Sequence, residues 1–130
     1  MTDIAGFHHV NLSVADRHRS ARWYAEVLGF VTFKEMDDDG RRGAKVVMRH
    51  PRSGILLGFT THAGGGGGQF DEARTGLDHL AFSVPDRSAL TTWMARLDHL
   101  GVAHSLSSTG WLVTFRDPDN IQLQVYALEG

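Results

Sequence analysis

Histidine occurs twice at the start of a similar phrase in this chain. The stretch GFHHVNLSVAD contains His9, and GLDHLAFSVPD contains His79, which lies 79 − 9 = 70 residues later. In both phrases the histidine falls on the polar side of an alternation between apolar and small or polar residues. Two neutral imidazoles that such a repeat brings together could bind a divalent metal ion.

The alternation after each histidine predicts a β-strand with one side in a core. In residues 7–14 the apolar side holds valine and leucine, and the polar side holds His9 and Asn11. An aspartate follows each strand, Asp16 or Asp86, and its side chain can cap the first turn of a helix. Glycines follow both helical stretches, and glycine readily takes the left-handed conformation that ends a helix.

The match between the two halves continues beyond these phrases. Trp23 and Trp93 are again 93 − 23 = 70 residues apart, and Arg49 and Arg116 are 116 − 49 = 67 apart, as a shorter hairpin in the second half predicts. Each half has three more strand-like stretches after its helix. The order β-α-β-β-β therefore occurs twice. This predicts an α+β fold of two βαβββ modules that form a curved mixed sheet around a cup.

The length of the chain favours one domain built from two halves. Two separate domains of about 60 residues would each be marginally stable. We predict a single domain, residues 1–130, with module one at about 5–61 and module two at about 77–127. The segment 62–76 contains five consecutive glycines and predicts a flexible linker, because ordered glycine loses the most backbone freedom.

Composition and charge narrow the classes of partner. The net charge is −2 at pH 7, so no strong basic field predicts binding to nucleic acid or to an anionic membrane surface. The chain has no cysteine, which excludes disulfides, thiolate metal sites and thiol catalysis. The sequence has no apolar run of about 20 residues and no signal-peptide pattern. We therefore expect a cytoplasmic protein that acts on a small molecule.

The last strand of each half differs on its polar side. In the second half Gln122, Gln124 and Tyr126 alternate with apolar residues. Buried amides without partners are costly, so these side chains favour the lining of a wet or ligand-filled pocket. In the first half the stretch ILLGFTT places Gly58 where the second half has Gln124. One corner of the predicted cup is therefore open.

The stretches HHVNLSVAD, SARWYAEVLGF, GLDHLAFSVPD and FRDPDNIQLQV resemble the vicinal oxygen chelate superfamily. That group includes glyoxalase I, bleomycin-resistance proteins, fosfomycin-resistance enzymes and extradiol dioxygenases. The resemblance covers residues 5–127 and implies paired βαβββ modules around a metal-binding cup. It implies metal ligands on the first and fourth strands of each module. Carried over, these positions are His9, Gly58, His79 and Gln124.

The chain departs from the family pattern at two of these positions. Gly58 has no side chain, and Gln124 stands where the family usually has glutamate. A pair of unit charges 4 Å apart contributes roughly 4 kcal/mol at an effective dielectric constant of about 20, so the loss of carboxylates weakens a divalent site considerably. An amide is also no general base, which leaves the catalytic residue unassigned. The resemblance implies a site for Fe, Mn, Ni or Zn at His9, His79 and Gln124.

Two functions stay open. The first is a divalent-metal-dependent lyase, isomerase or dioxygenase of the glyoxalase type, whose small substrate chelates the ion through neighbouring oxygens. The second is a metal-free protein that binds or sequesters a small, antibiotic-like molecule. For the cleft of that second protein we predict ligand contacts at Asn11, Trp111, Gln122 and Tyr126. The resemblance also implies a homodimer.

Other polar residues favour structural roles. His8 and Asp78 each neighbour a predicted ligand and, in a regular strand, would point to the opposite face. The acidic run at residues 37–39 precedes a glycine and predicts a solvated hairpin. Arg49 and Arg116 end equivalent strands and favour surface ion pairs over a clamp for an anionic substrate.

Overall fold

A computed structural model describes residues 2–37, 43–65 and 68–128 of the chain. The chain divides into two compact units, residues 1–67 and 68–130. Within the described residues each unit has one helix and one four-stranded sheet, in the order β-α-β-β-β that the sequence predicts. The predicted α+β class is confirmed. Two acidic residues of the predicted hairpin, Asp38 and Asp39, and two of the five glycines, Gly66 and Gly67, lie outside the described residues.

Module one has a mixed sheet. Its elements are β1 (Val10–Ser13), α1 (Arg17–Leu28), β2 (Val31–Met36), β3 (Ala44–Arg49) and β4 (Leu56–Thr61). The strand order is β1-β4-β3-β2, with β1 parallel to β4 and the other pairs antiparallel. A register shift between Thr32 and Lys34 places a β-bulge in the edge strand β2.

Module two repeats this topology. Its elements are β5 (Leu80–Val84), α2 (Arg87–His99), β6 (His104–Leu106), β7 (Leu112–Arg116) and β8 (Gln122–Ala127). The strand order β5-β8-β7-β6 matches that of module one, and β5 is again parallel to β8. Gly58 pairs with Asn11, and Gln124 pairs with Ala81, so the two halves are equivalent in register as well as in order.

Both helices begin at the predicted aspartates. The Asp16 carboxylate accepts hydrogen bonds from the backbone N–H groups of His18 and Arg19, at 3.0 and 3.2 Å, and Asp86 accepts one from Ala89 at 3.0 Å. These bonds satisfy amides that have no partner within the helix, and they hold the pKa of Asp16 below its usual value. Neither helix of the described residues has the length and apolar character of a membrane span.

The helix of each module covers one face of its sheet. In module one Tyr24 is fully buried, and its ring lies 4.5 Å from that of Phe59 and 6.3 Å from that of Phe30. The helical stripe predicted for α1 is wrong at Ala25, which is exposed, while Val27 is buried. Module two instead buries mainly aliphatic side chains, including Leu90, Leu97, Val113 and Leu123. The polar sides of the strands lie on the faces that the helices leave uncovered.

The first strand is shorter than the sequence predicts. β1 begins at Val10, whereas the alternation predicts a strand from residue 7. The Phe7 side chain is 98% exposed, so no apolar packing holds the preceding segment in the sheet. His8 and His9 therefore lie before the strand, and the alternation of a regular strand does not decide where their side chains point.

Candidate functional site

The uncovered face of the module-one sheet carries a groove of about 280 Å³. Asn11, Gly58, Val47 and Lys34 lie at one register level across this face, one from each of β1, β4, β3 and β2. We call this depression the module-one groove. The described residues that line it include no acidic side chain. They are His8, His9, Asn11, Phe33, Lys34, Met36, Lys45, Val47, Leu56 and Gly58.

The Asn11 carboxamide occupies the space that a side chain at position 58 would need. A Cβ built on Gly58 would lie 2.7 Å from Oδ1 of Asn11, far closer than normal contact. That oxygen accepts a hydrogen bond of 3.0 Å from the Thr60 hydroxyl, which fixes the amide in place. Glycine at position 58 therefore leaves room for a polar group that comes from the neighbouring strand. The amide protons of Asn11 have no acceptor among the described residues.

His9 lies in the module-one groove together with Asn11 and Gly58. Its Nδ1 is 2.9 Å from Nδ1 of His8, and both rings line the groove. The prediction that these two histidines point to opposite faces is wrong, because both precede the regular strand. One Nδ1 must donate and the other accept, so two neutral rings hold different tautomers. Only one of them then has an unprotonated Nε2.

In module two His79 is hydrogen bonded to the residue before it. Its Nδ1 lies 2.8 Å from Oδ1 of Asp78, and the carboxylate makes Nδ1–H the donor. The Gln122 amide donates to the carbonyl and to the carboxylate of Asp78, both at 3.2 Å. The prediction that Asp78 faces away from His79 is wrong, because both residues precede β5. This arrangement leaves Nε2 of neutral His79 with a free lone pair.

Arg116 forms a bidentate ion pair with Glu72. The two N–H···O distances are 2.8 and 2.7 Å, and Arg116 also donates to the carbonyl of Asn120. The hydrogen bond from Arg116 lowers the pKa of Glu72 to about 2, and the same carboxylate raises the pKa of Arg116. The predicted ion pair is therefore confirmed for Arg116. The equivalent Arg49 forms none with another described residue.

The remaining predicted ligand residues are spread over module two. Gln124 is half-buried on β8 and pairs with Ala81 on β5, and Tyr126 two residues later is 45% exposed. The Trp111 ring lies under the guanidinium of Arg87, the first residue of α2, at 4.9 Å. Ligand contacts at these positions, and at Asn11 and Gln122, stay predictions.

The donor set that the resemblance implies fits a divalent ion in kind but not in charge. Imidazole nitrogens and an amide oxygen suit borderline divalent metals, and the Asp78–His79 bond is of the kind that orients metal-bound histidine. His9, His79 and Gln124 bring no negative charge, and Gly58 brings no ligand at all. The described residues contain no group of three His, Asp or Glu side chains that could hold an ion.

The sequence prediction missed three residues of the module-one groove: Phe33, Lys34 and Lys45. Lys45 and Val47 alternate with the buried Val46 and Met48 on β3, so the period-two pattern could have found Lys45. The bulge in β2 brings Phe33 and Lys34 to the same groove, and no sequence pattern marks that bulge.

The chain matches the model of a known protein family. Residues 6–125 match the Glyoxalase/Bleomycin resistance protein/Dioxygenase superfamily. A crystal structure of a glyoxylase/bleomycin resistance protein/dioxygenase domain from Frankia sp. EAN1pec is 33% identical with a TM-score of 0.83. That match covers 96% of this chain and 93% of the Frankia chain.

Relatives with different named activities share the fold. Catechol-2,3-dioxygenase of Bacillus subtilis is 28% identical over 92% of this chain, which spans 40% of that enzyme. The fosfomycin resistance protein FosX of Listeria monocytogenes, solved with Mn(II) and sulfate, is 17% identical with a TM-score of 0.72, and the match covers 97% of this chain and 94% of FosX. The family model spans nearly the whole described chain. This protein therefore belongs to the glyoxalase/bleomycin resistance protein/dioxygenase superfamily, the vicinal oxygen chelate superfamily that its sequence resembles.

Proposed function

We propose that this chain binds a small organic molecule in the module-one groove, without requiring a metal ion. The observation that carries this proposal is the Asn11 amide above Gly58. The glycine removes the ligand that the family has on its fourth strand, and the amide that replaces it is held by Thr60. A fixed amide donor beside apolar side chains is typical of a small-molecule site.

The groove has both components of such a site. Val47 and Leu56 offer apolar surface from β3 and β4, and Phe33 adds an aromatic ring from β2. The volume of about 280 Å³ lies just below the range of about 300–1,000 Å³ of pockets for small ligands. The apolar part of a ligand would lie on these side chains, and the Asn11 amide would orient a polar atom.

A neutral fluorescent probe, N-phenyl-1-naphthylamine, tests this proposal by equilibrium titration. Val47→Trp fills the centre of the groove and should weaken binding at least tenfold. Thr114→Trp is the matched control, because Thr114 holds the same register position on β7 of module two. It should leave the affinity within twofold. Equal losses in both variants, or no loss in either, would contradict a site in the module-one groove.

A second candidate is the metal-dependent lyase, isomerase or dioxygenase of the glyoxalase type. The Asp78–His79 hydrogen bond of 2.8 Å favours it, because it presents Nε2 of His79 as a lone-pair donor. His9 and Gln124 would complete the ligand set. A bound ion would supply Lewis-acid polarisation of a substrate oxygen. Asp78 would keep the His79 tautomer, and Gln122 would hold Asp78 in place. An oxygen-chelating substrate would have to bring the missing negative charge.

Calorimetric titration with Mn(II), Ni(II) and Zn(II) separates the two candidates. If this second function is correct, one ion binds per chain, His79→Ala abolishes the binding, and Asp78→Asn weakens it about 10- to 100-fold. His99→Ala removes an exposed histidine of α2 and serves as the control. Binding that survives His79→Ala would contradict the metal site. The homodimer and the cytoplasmic location remain proposals from the sequence.

A further inference from the structure

The chain contains only two lysines among its 130 residues, and both line the module-one groove. Lys34 lies on β2 and Lys45 on the neighbouring β3. The other eleven basic residues are arginines, and none of them lines this groove. The placement of both lysines in one groove of a chain with a net charge of −2 calls for an explanation from the chemistry of the groove.

The two lysines are diagonal neighbours on one face of the sheet. Lys34 pairs with Val47, and Lys45 lies two residues before Val47 on the same strand. Diagonal neighbours on adjacent strands have side chains about 7–8 Å apart at their bases, so two long ammonium side chains can reach one anion between them. In the absence of an anion two positive charges at this spacing repel, and neither lysine forms an ion pair with another described residue.

The β2 bulge adds an aromatic ring to this pair of charges. The register shift lets two successive residues, Phe33 and Lys34, both line the groove, although a regular strand would turn them to opposite faces. The Phe33 side chain is 61% exposed, which is unusual for a large apolar residue without a partner. A ring and an ammonium group from adjacent positions suit a ligand that has a flat apolar part next to a negative charge.

We infer that the ligand of the module-one groove is an anion with a flat apolar body, a carboxylate, sulfonate or phosphonate on an aromatic or similar ring. This inference rests on the proposed binding function of the same groove and names the class of its ligand. Lys34 and Lys45 hold the anionic group, and Phe33 and Val47 contact the ring. The Asn11 amide donates to a second oxygen of the ligand. Charge-assisted hydrogen bonds from two ammonium groups make the anion the main determinant of affinity.

Two probes that differ in one sulfonate group test the inference. 8-Anilinonaphthalene-1-sulfonate should bind at least tenfold more tightly than the neutral N-phenyl-1-naphthylamine, and salt should weaken only the anionic probe. Lys34→Gln and Lys45→Gln should each weaken the anionic probe roughly three- to fivefold and the neutral probe less than twofold. Arg52→Gln is the control, because it removes an exposed positive charge outside the groove.

The lysine count allows an independent measurement. Reductive ¹³C-methylation of the chain should give two lysine signals beside that of the α-amine, and the anionic probe should shift both lysine signals. Equal affinity for the two probes, with no effect of either lysine substitution, would overturn the inference and leave the proposed function intact. The same result together with lower solubility would assign the lysines to protection of the exposed β2 edge. Failure of both probes to bind would overturn the proposed function itself.

Discussion

The two modules share one register but place a carboxamide on different strands. In module one the amide comes from Asn11 on the first strand, and the fourth strand has Gly58 beside it. In module two the fourth strand supplies Gln124, and the first strand has the small residue Ala81. Duplication has therefore kept the backbone pairing while the polar group changed strand. A position that is equivalent in sequence is thus not necessarily equivalent in chemistry.

The polar faces also differ in how many of their groups already have partners. In module two Asp78 is bonded to His79 and Gln122, and Arg116 is bonded to Glu72. Module one instead has two lysines without ion pairs among the described residues and an exposed aromatic ring. The face of module two is held together by its own side chains, whereas that of module one has unused donors for a ligand.

The largest expected effect distinguishes the two cores. The chain has two tyrosines, Tyr24 buried in module one and Tyr126 exposed in module two. Tyr24→Ala should lower the free energy of unfolding by about 3–5 kcal/mol, because it removes the ring that contacts Phe59 and Phe30. Tyr126→Ala should cost about 0.5 kcal/mol, as for other surface substitutions. Urea unfolding followed by circular dichroism measures both, and similar losses would contradict the burial of Tyr24.

The next effect concerns the contact between Asn11 and Gly58. Gly58→Ala should lower the free energy of unfolding by about 1–3 kcal/mol, because the new Cβ overlaps the Asn11 amide. In an Asn11→Ala background the same change should cost less than about 1 kcal/mol, since the overlap disappears. A double-mutant cycle by urea unfolding measures this coupling.

A matched cycle with Ser83→Ala tests whether that coupling is local. Ser83 lies in module two, so its effect should add to that of Gly58→Ala. Additivity of Asn11→Ala with Gly58→Ala would show that the amide does not occupy the space above the glycine. The structural basis of the proposed ligand site would then be lost.

Much of this architecture could be predicted from the sequence because it depends on local patterns. Alternation located the strands, and Asp16 and Asp86 marked the helix starts, since capping uses bonds within three residues. The repeat of 70 residues predicted two modules with the same strand order. The equivalence of Gly58 and Gln124 also followed from the repeat and agrees with the strand register.

The parts that could not be predicted depend on where regular structure stops. The alternation extends to Phe7, but the strand begins at Val10, so the contacts of His8 and His9 escaped the pattern. The β2 bulge shifts the register inside an ordinary strand sequence. The ion pair of Glu72 with Arg116 joins residues 116 − 72 = 44 positions apart, and no periodic pattern extends that far.

The smallest expected effect is a pH dependence that only module two should show. The pKa of Glu72 is about 2 in the folded chain and 4.5 without its partner, so its ion pair stabilises the fold above pH 4.5. That stabilisation is lost as the pH falls from 4.5 towards 2. The difference in urea midpoint between the wild type and Glu72→Gln should therefore be constant near pH 6–7 and shrink below pH 4.5. Arg49→Gln, at the equivalent strand end of module one, should show no such trend. A pH-independent difference for Glu72→Gln would mean that the Arg116 ion pair does not distinguish the two modules.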